Sequence, residues 1–292
     1  MKRLSISDKI FVIIDYVILT ILLIVVAYPL LYVIMASMAA GSNNMTIYLI
    51  PKKISFAGYE AVLEYKDIWI GYSNSLINMV LGTVICLMTT MFCAYPLSRP
   101  DFKLRGVIMT MCMITMYFGG GLIPNYLLVR NMGLLNTRWA LILPGAMSVY
   151  NMIVTRTYIM SSIPNDIRES AQIDGCSDAR YLFSMVMPLS KPILAVTGLF
   201  YAVGIWNSYF DAMIYVTSKR KLYPLALILR EILVLNTSKI DMTDLEEMAK
   251  LEERQDVMKY AVIVVASLPV MILYPFVQKF FVKGVMIGAV KG

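Results

Sequence analysis

The chain has 292 residues, 59% of them apolar and only 15% charged, against roughly 45–50% and ~25% in an ordinary soluble domain. With a mean hydropathy of +0.70, this balance excludes a disordered chain, a disulfide scaffold and a nucleic-acid binder, and makes the bilayer the solvent. The net charge of +7 comes from Lys and Arg set almost entirely between apolar runs, with no block of five like charges.

Six stretches are free of charge: Tyr16–Met35, Ile68–Ser98, Gly106–Val129, Trp139–Thr155, Pro192–Phe210 and Tyr260–Gln278. A span takes about 20 apolar residues, so with their flanks these predict transmembrane helices over about 10–36, 72–98, 106–129, 137–160, 192–217 and 258–281. The first run exceeds the 7–15 residues of a signal-peptide core and reads as an uncleaved span. The fourth is short, and Arg138 and Arg156 are expected to snorkel outward from its ends. An even number of spans places both termini on one side. The 26 Lys and Arg then divide equally between the two faces, so the positive-inside rule returns a tie. The long connections 37–71 and 218–257 lie on one face, and 161–191 on the other. The whole of 1–292 reads as one all-α integral membrane domain.

The connection 161–191 carries the most information. Ser162-Ile-Pro-Asn-Asp-Ile-Arg-Glu-Ser-Ala-Gln-Ile-Asp-Gly175 predicts a short helix marked at both ends. Pro164 suits its first turn. Asp166 and Glu169 complement the dipole, and Gly175 suits the left-handed residue that stops a helix. Ser177 caps a second short helix over Asp178–Met187, closed by Pro188 and Pro192. Ile167 and Ala171 fall on one face, and small Ala171 and Gly175 admit a close partner. On these residues alone, a docking knob and an interfacial amphipathic linker are equally good readings.

Glu169-Ser170-Ala171, Gly175 six positions after the Glu, and Met185-x-Met187-Pro188 resemble the EAA loop of ATP-binding-cassette importer permeases. That family's pattern is Glu-Ala-Ala, three residues, Gly, nine residues, Ile, one residue, Leu-Pro. Ser170, Met185 and Met187 are mild departures in size. Asp174-Gly175 and Pro188-Leu-Ser-Lys-Pro192 are similar to the sugar-transporting branch. Gly119-Gly-Gly-Leu-Ile-Pro-Asn125 with Gly133-Leu-Leu-Asn-Thr137 resembles its oligosaccharide importers. The ending Gln278–Gly284 and Gly288-Ala-Val-Lys-Gly292 resembles the maltose-type tail that enters the ATPase interface. The resemblance implies six transmembrane helices with a cytoplasmic EAA coupling loop, both termini cytoplasmic, in the bacterial plasma membrane.

The same resemblance assigns ATPase coupling to Glu169, Ser170, Ala171, Asp174, Gly175 and Pro188, with Gly288, Lys291 and Gly292 in the tail. The implied partners are a second homologous permease, an ATP-binding-cassette ATPase dimer, an extracytoplasmic solute-binding protein and an oligosaccharide. No G-x-x-x-x-G-K-[ST] occurs, so the chain itself is expected to hold no cofactor, and ATP and Mg are expected on the ATPase. Gly119-Gly120-Gly121 interrupts an apolar run and predicts a broken helix.

For a sugar path the chain offers Tyr150 and Asn151 in span four, and Trp206, Asn207 and Asp211 at the end of span five. Asn207 and Asp211 are expected to share a face at i, i+4. Polar glue between helices explains them equally well. Having no His, the chain lacks the commonest general base and every Ser-His or Cys-His nucleophile. Cys86, Cys93, Cys112 and Cys176 fit no metal spacing and read as small buried hydrophobes. An ATP-independent secondary transporter or scaffold, or the same machinery with a non-sugar cargo, are the competing readings.

Overall fold

The computed structural model describes residues 5–39, 53–235, 258–276 and 278. The chain divides into two compact units, residues 1–66 with 231–268 and residues 67–230 with 269–292. Among the described residues the secondary structure is helical apart from one isolated bridge, Ala39 to Ile54.

In the first unit, α1 (Ile6–Ser37) opens where the Asp8 carboxylate accepts the Ser5 backbone N–H at 3.1 Å, a standard way to satisfy an orphan donor. Its apolar stretch is exposed on all sides, as a helix solvated by lipid should be. α2 (Ala57–Glu64) is pinned back to its end, with Ser37 Oγ and the Tyr59 hydroxyl 2.7 Å apart. The last helix, Met258–Phe276, begins here, and Tyr260 meets the Tyr32 ring edge-on.

The second unit is built on α3 (Lys66–Ser98), a helix of about 50 Å at 1.5 Å per residue. It begins before the expected boundary at residue 72, with Ile68, Gly71, Asn74 and Ser75 of its first turns already buried in the unit. Gly71, Ser75, Met79, Gly82, Cys86, Thr90, Ala94 and Leu97 are buried at three- and four-residue intervals. Most are small, and small residues let membrane helices approach closely. A Cβ on Gly71 would lie 2.5 Å from Ile228 Cδ1, and one on Gly82 would lie 2.7 Å from Ile205 Cδ1.

The remaining elements are α4 (Arg105–Tyr117), α5 (Leu122–Asn131), α6 (Trp139–Ile142), α7 (Val149–Ser162) and α8 (Asn165–Ile173). After them come α9 (Asp178–Leu189), α10 (Lys191–Asn207), α11 (Phe210–Tyr215) and α12 (Leu225–Arg230). The triple glycine does break its helix: α4 and α5 meet at 115° across residues 118–121, with Gly121 at φ +84°.

Three described helices are long and apolar enough to cross a membrane, or up to five if each bent pair counts as one span. The run expected as span four is not one helix, because Pro144-Gly145 unwinds it between α6 and α7. The break is kept solvated from within. Thr89 Oγ1 donates to the Ala146 carbonyl, Cys86 Sγ reaches the Gly145 carbonyl at 3.5 Å, and the Tyr201 hydroxyl accepts the Ser148 N–H at 3.0 Å. Irregular backbone at such a depth is tolerated only with partners of this kind.

Arg138 and Arg156 do not snorkel outward as expected. Arg138 donates to Asn78 Oδ1 at 2.7 Å and Asn74 Oδ1 at 2.8 Å, and Arg156 Nε donates to the Leu97 carbonyl at 2.8 Å. Fixed acceptors on α3 lie within reach of both guanidinia and satisfy them inside the unit. The cysteines are all free thiols, but only Cys86 is fully buried.

Candidate functional site

The knob forms as its end signals dictate. Pro164 takes the N-cap position, one residue before the expected first turn, and Asp166 lies in the first turn of α8. At the other end Gly175 adopts φ +73°. The Cys176 N–H donates to the Ala171 carbonyl at 2.9 Å and the Gly175 N–H to Gln172 at 3.0 Å. This is the paired hydrogen bonding of a Schellman stop. Ser177 then caps α9, its hydroxyl accepting the Arg180 N–H at 3.4 Å.

The second knob helix runs two residues past the expected end at Met187. Pro188 does not stop it, because a π turn over Leu182–Val186 shifts the register just before the proline, with the Met187 N–H donating to the Leu182 carbonyl. Such single π turns absorb a local conflict in the hydrogen-bond ladder. Pro188 itself is exposed.

α8 is seated on α3, α7 and α9 by an apolar core. Met91, Ala94, Tyr95 and Leu97 meet Met152, Ile159 and Ile163, together with Ala171, Tyr181, Leu182 and Val186. Ala171 is therefore not on a partner-facing surface as expected. At 3% exposure it is the residue that lets α8 press against its own unit. The outward face carries Asp166, Ile167, Glu169, Gln172 and Ile173, the last 87% exposed. Glu169 and Asp174 stand open to solvent, and Ser170 Oγ donates back to the Asp166 carbonyl at 2.9 Å.

Beneath the knob lies a charge cluster that sequence reasoning missed. Arg99, just past α3, grips Asp101 with both arms, Nε to Oδ1 at 3.2 Å and NH2 to Oδ2 at 2.7 Å. Arg168 of α8 grips the same carboxylate from the other side at 3.2 and 3.0 Å. Arg99 also donates to Asp178 in the first turn of α9, and its guanidinium lies 5.7 Å from the centre of the Tyr95 ring. Hydrogen bonds from Arg99 and Arg168 hold the Asp101 carboxyl well below the usual carboxylate range. The sequence signal was only an Arg-Pro-Asp step after an apolar run. Separations of 67 and 79 residues hid the pairings.

The sugar-path candidates divide. Tyr150 and Asn207 are exposed, whereas Asn151 and Trp206 are packed inside the unit, Trp206 edge-on to Tyr72 at 5.4 Å. Asn207 and Asp211 do not share a helical face, because the chain turns extended at Ser208 and α11 starts afresh at Phe210. Asn207 instead donates to the Val203 carbonyl at 3.0 Å, while Asp211 is half-buried. The tail residues Gly288, Lys291 and Gly292 lie outside the described residues.

The family described as binding-protein-dependent transport system inner membrane component matches residues 2–287. The chain is 38% identical over 266 residues to protein LplC of Bacillus subtilis strain 168, covering 90% of this chain and 89% of that one. It is 36% identical over 289 residues to the polygalacturonan/rhamnogalacturonan transport system permease protein YtcP of the same organism, covering 98% and 100%. Among solved structures, it matches a chain of a bacterial ABC transporter involved in import of the acidic polysaccharide alginate. The TM-score is 0.85 at 33% identity, covering 96% of this chain and 100% of that one.

Proposed function

The chain belongs to the binding-protein-dependent inner membrane components and is the permease component of an ATP-binding-cassette sugar importer, and from that premise we propose how it performs the task. It works with an ATPase and a solute-binding protein. In our reading a second, homologous permease completes the translocation path and an ATPase dimer supplies the chemistry, holding ATP and Mg. Six spans cross the plasma membrane with both termini cytoplasmic. The bent α4–α5 pair counts as span three, and the interrupted α6–α7 segment as span four.

The knob α8–Gly175–α9 is the coupling element. The observation that carries this is the two-sided build of α8: its inner face is locked into the unit through Ala171 and Arg168, while Glu169 and Ile173 are left unshielded. A half-buried helix with an apolar side chain 87% exposed is suited to a partner surface. Glu169 offers the polar anchor, Ser170 and Asp174 line the approach, Gly175 sets the turn, and Pro188 passes the motion to α10. Gly288, Lys291 and Gly292 reach the ATPase separately. Alternating access then follows from ATP-driven closure of the ATPase pair. Shifting a two-state equilibrium from 1:99 to 99:1 takes roughly 5.5 kcal/mol of differential interaction.

The cargo is an oligosaccharide, and the acidic polysaccharide handled by the structural neighbour makes anionic fragments the first to try. Tyr150 and Asn207, both exposed, are the path residues best placed to meet it. Asn151, Trp206 and Asp211 support them from within. The test is uptake by proteoliposomes holding the co-purified complex, given oligosaccharides from hydrolysed alginate and polygalacturonan. Vanadate-sensitive uptake that weakens in Asn207→Ala, with assembly and basal ATP hydrolysis intact, is expected. Uptake without ATP, or an unchanged apparent affinity in Asn207→Ala, would overturn the coupling and path assignments respectively.

A further inference from the structure

We propose that Arg99 and Asp101 form the positioning joint that makes the knob and α3 travel as one body, an inference that rests on the importer reading above. Apolar contact through Ala171 seats α8 but leaves it free to tilt. Two planar forks closing on one carboxylate do not, because bidentate guanidinium pairs fix direction as well as distance. Each Asp101 oxygen accepts one N–H from Arg99 and one from Arg168, and the third arm of Arg99 reaches Asp178. Residues just past the end of one helix thereby hold the N-terminal turn of α9 and the middle of α8.

The magnitudes favour orientation over stability. Asp101 and Asp178 are 52% and 59% exposed at their side chains, and exposed ion pairs contribute little to folding. The side chains of Arg99 and Arg168 are mostly shielded, at 16% exposure each, which restricts the directions in which their guanidinia can point.

α3 is also anchored at its other end. Asn74 Nδ2 donates to the carbonyls of Lys221 and Tyr223 at 2.7 and 3.1 Å, and Ser75 Oγ accepts the Leu225 N–H at 2.8 Å. From Asn74 to Arg99 is about 37 Å of helix. Motion of the knob is thus delivered across the unit along α3, which has polar joints towards both ends, a contiguous packed element of the kind that can carry coupling over such a distance.

The test uses the complete importer with Cys86, Cys93, Cys112 and Cys176 replaced by Ser, and spin labels on Asn165→Cys in the first turn of α8 and Lys103→Cys after α3, both exposed and outside the docking face. Distances are measured without nucleotide and after trapping with ATP and vanadate. The expected result is one narrow distance, the same in both states. Asp101→Asn broadens it in the trapped state, Asp101→Glu restores it, and thermal stability barely changes. A wild-type distance that shifts on trapping overturns the proposal, as does an Asp101→Asn distribution identical to wild type. A complex that contains no ATPase to trap would instead overturn the importer reading.

Discussion

Gly175 sits at φ +73° with nothing within 4 Å of where a Cβ would stand, so the two costs of substitution separate. Alanine meets only the backbone penalty of the left-handed region, roughly 1–2 kcal/mol. Gly175→Ala is therefore expected to assemble and transport at reduced rate. Gly175→Arg adds a long cation beside the docking face and is expected to lose the ATPase on purification. Co-purification and ATP turnover of the two variants check this, and equal behaviour would mean the turn matters only as a turn. Gly175 was legible in the sequence because its role is local. Ala171 was misread for the opposite reason: which side of a helix is the inside depends on what the helix packs against.

At the scale of elements, the broken segment between α6 and α7 depends on hydrogen-bond partners, both donors and acceptors, from elsewhere in the unit. The Tyr201 hydroxyl accepts the Ser148 N–H and shares a 2.7 Å hydrogen bond with Thr90, and both Tyr201 and Thr90 are buried. Tyr201→Phe strands a backbone donor and the Thr90 hydroxyl at once. Leaving a buried polar group unpaired costs about 1–3 kcal/mol. The variant should therefore unfold at a lower temperature in detergent while α3 keeps its helicity, which thermal scans of the two proteins would show. The Pro144-Gly145 pair was present in the sequence, yet a charge count passes over it. Apolar length marks where a membrane segment lies, whereas proline and glycine decide whether it is one helix. The same distinction separates Asn207 from Asp211, four residues apart but divided by the extended backbone at Ser208.

Across the second unit, the knob and the segment 219–223 are fastened to opposite ends of α3, through Arg99 and Asn74 respectively. Our topology places the knob in the cytoplasm, so Asn165→Cys, with the native cysteines replaced, should react with a membrane-impermeant thiol reagent only in inside-out vesicles. Lys219→Cys should react only in right-side-out cells. Labelling of both from one side would break the reading of α3 as a span, and the reversed pattern would invert the topology.

Composition alone determined that this chain lives in lipid, since no arrangement of so many apolar residues can be covered by so few charges. Local grammar determined the knob, because caps, prolines and a left-handed glycine act within a few residues of chain. The resemblance carried by Glu169, Ala171, Gly175 and Pro188 reached the family for the same reason. Only the tertiary structure decided which face of α8 is buried, how Arg138 and Arg156 are satisfied, and that Arg99, Asp101, Arg168 and Asp178 form one cluster. Those outcomes depend on contacts between residues far apart in sequence, and side-chain charge or size at one position does not specify its distant partner.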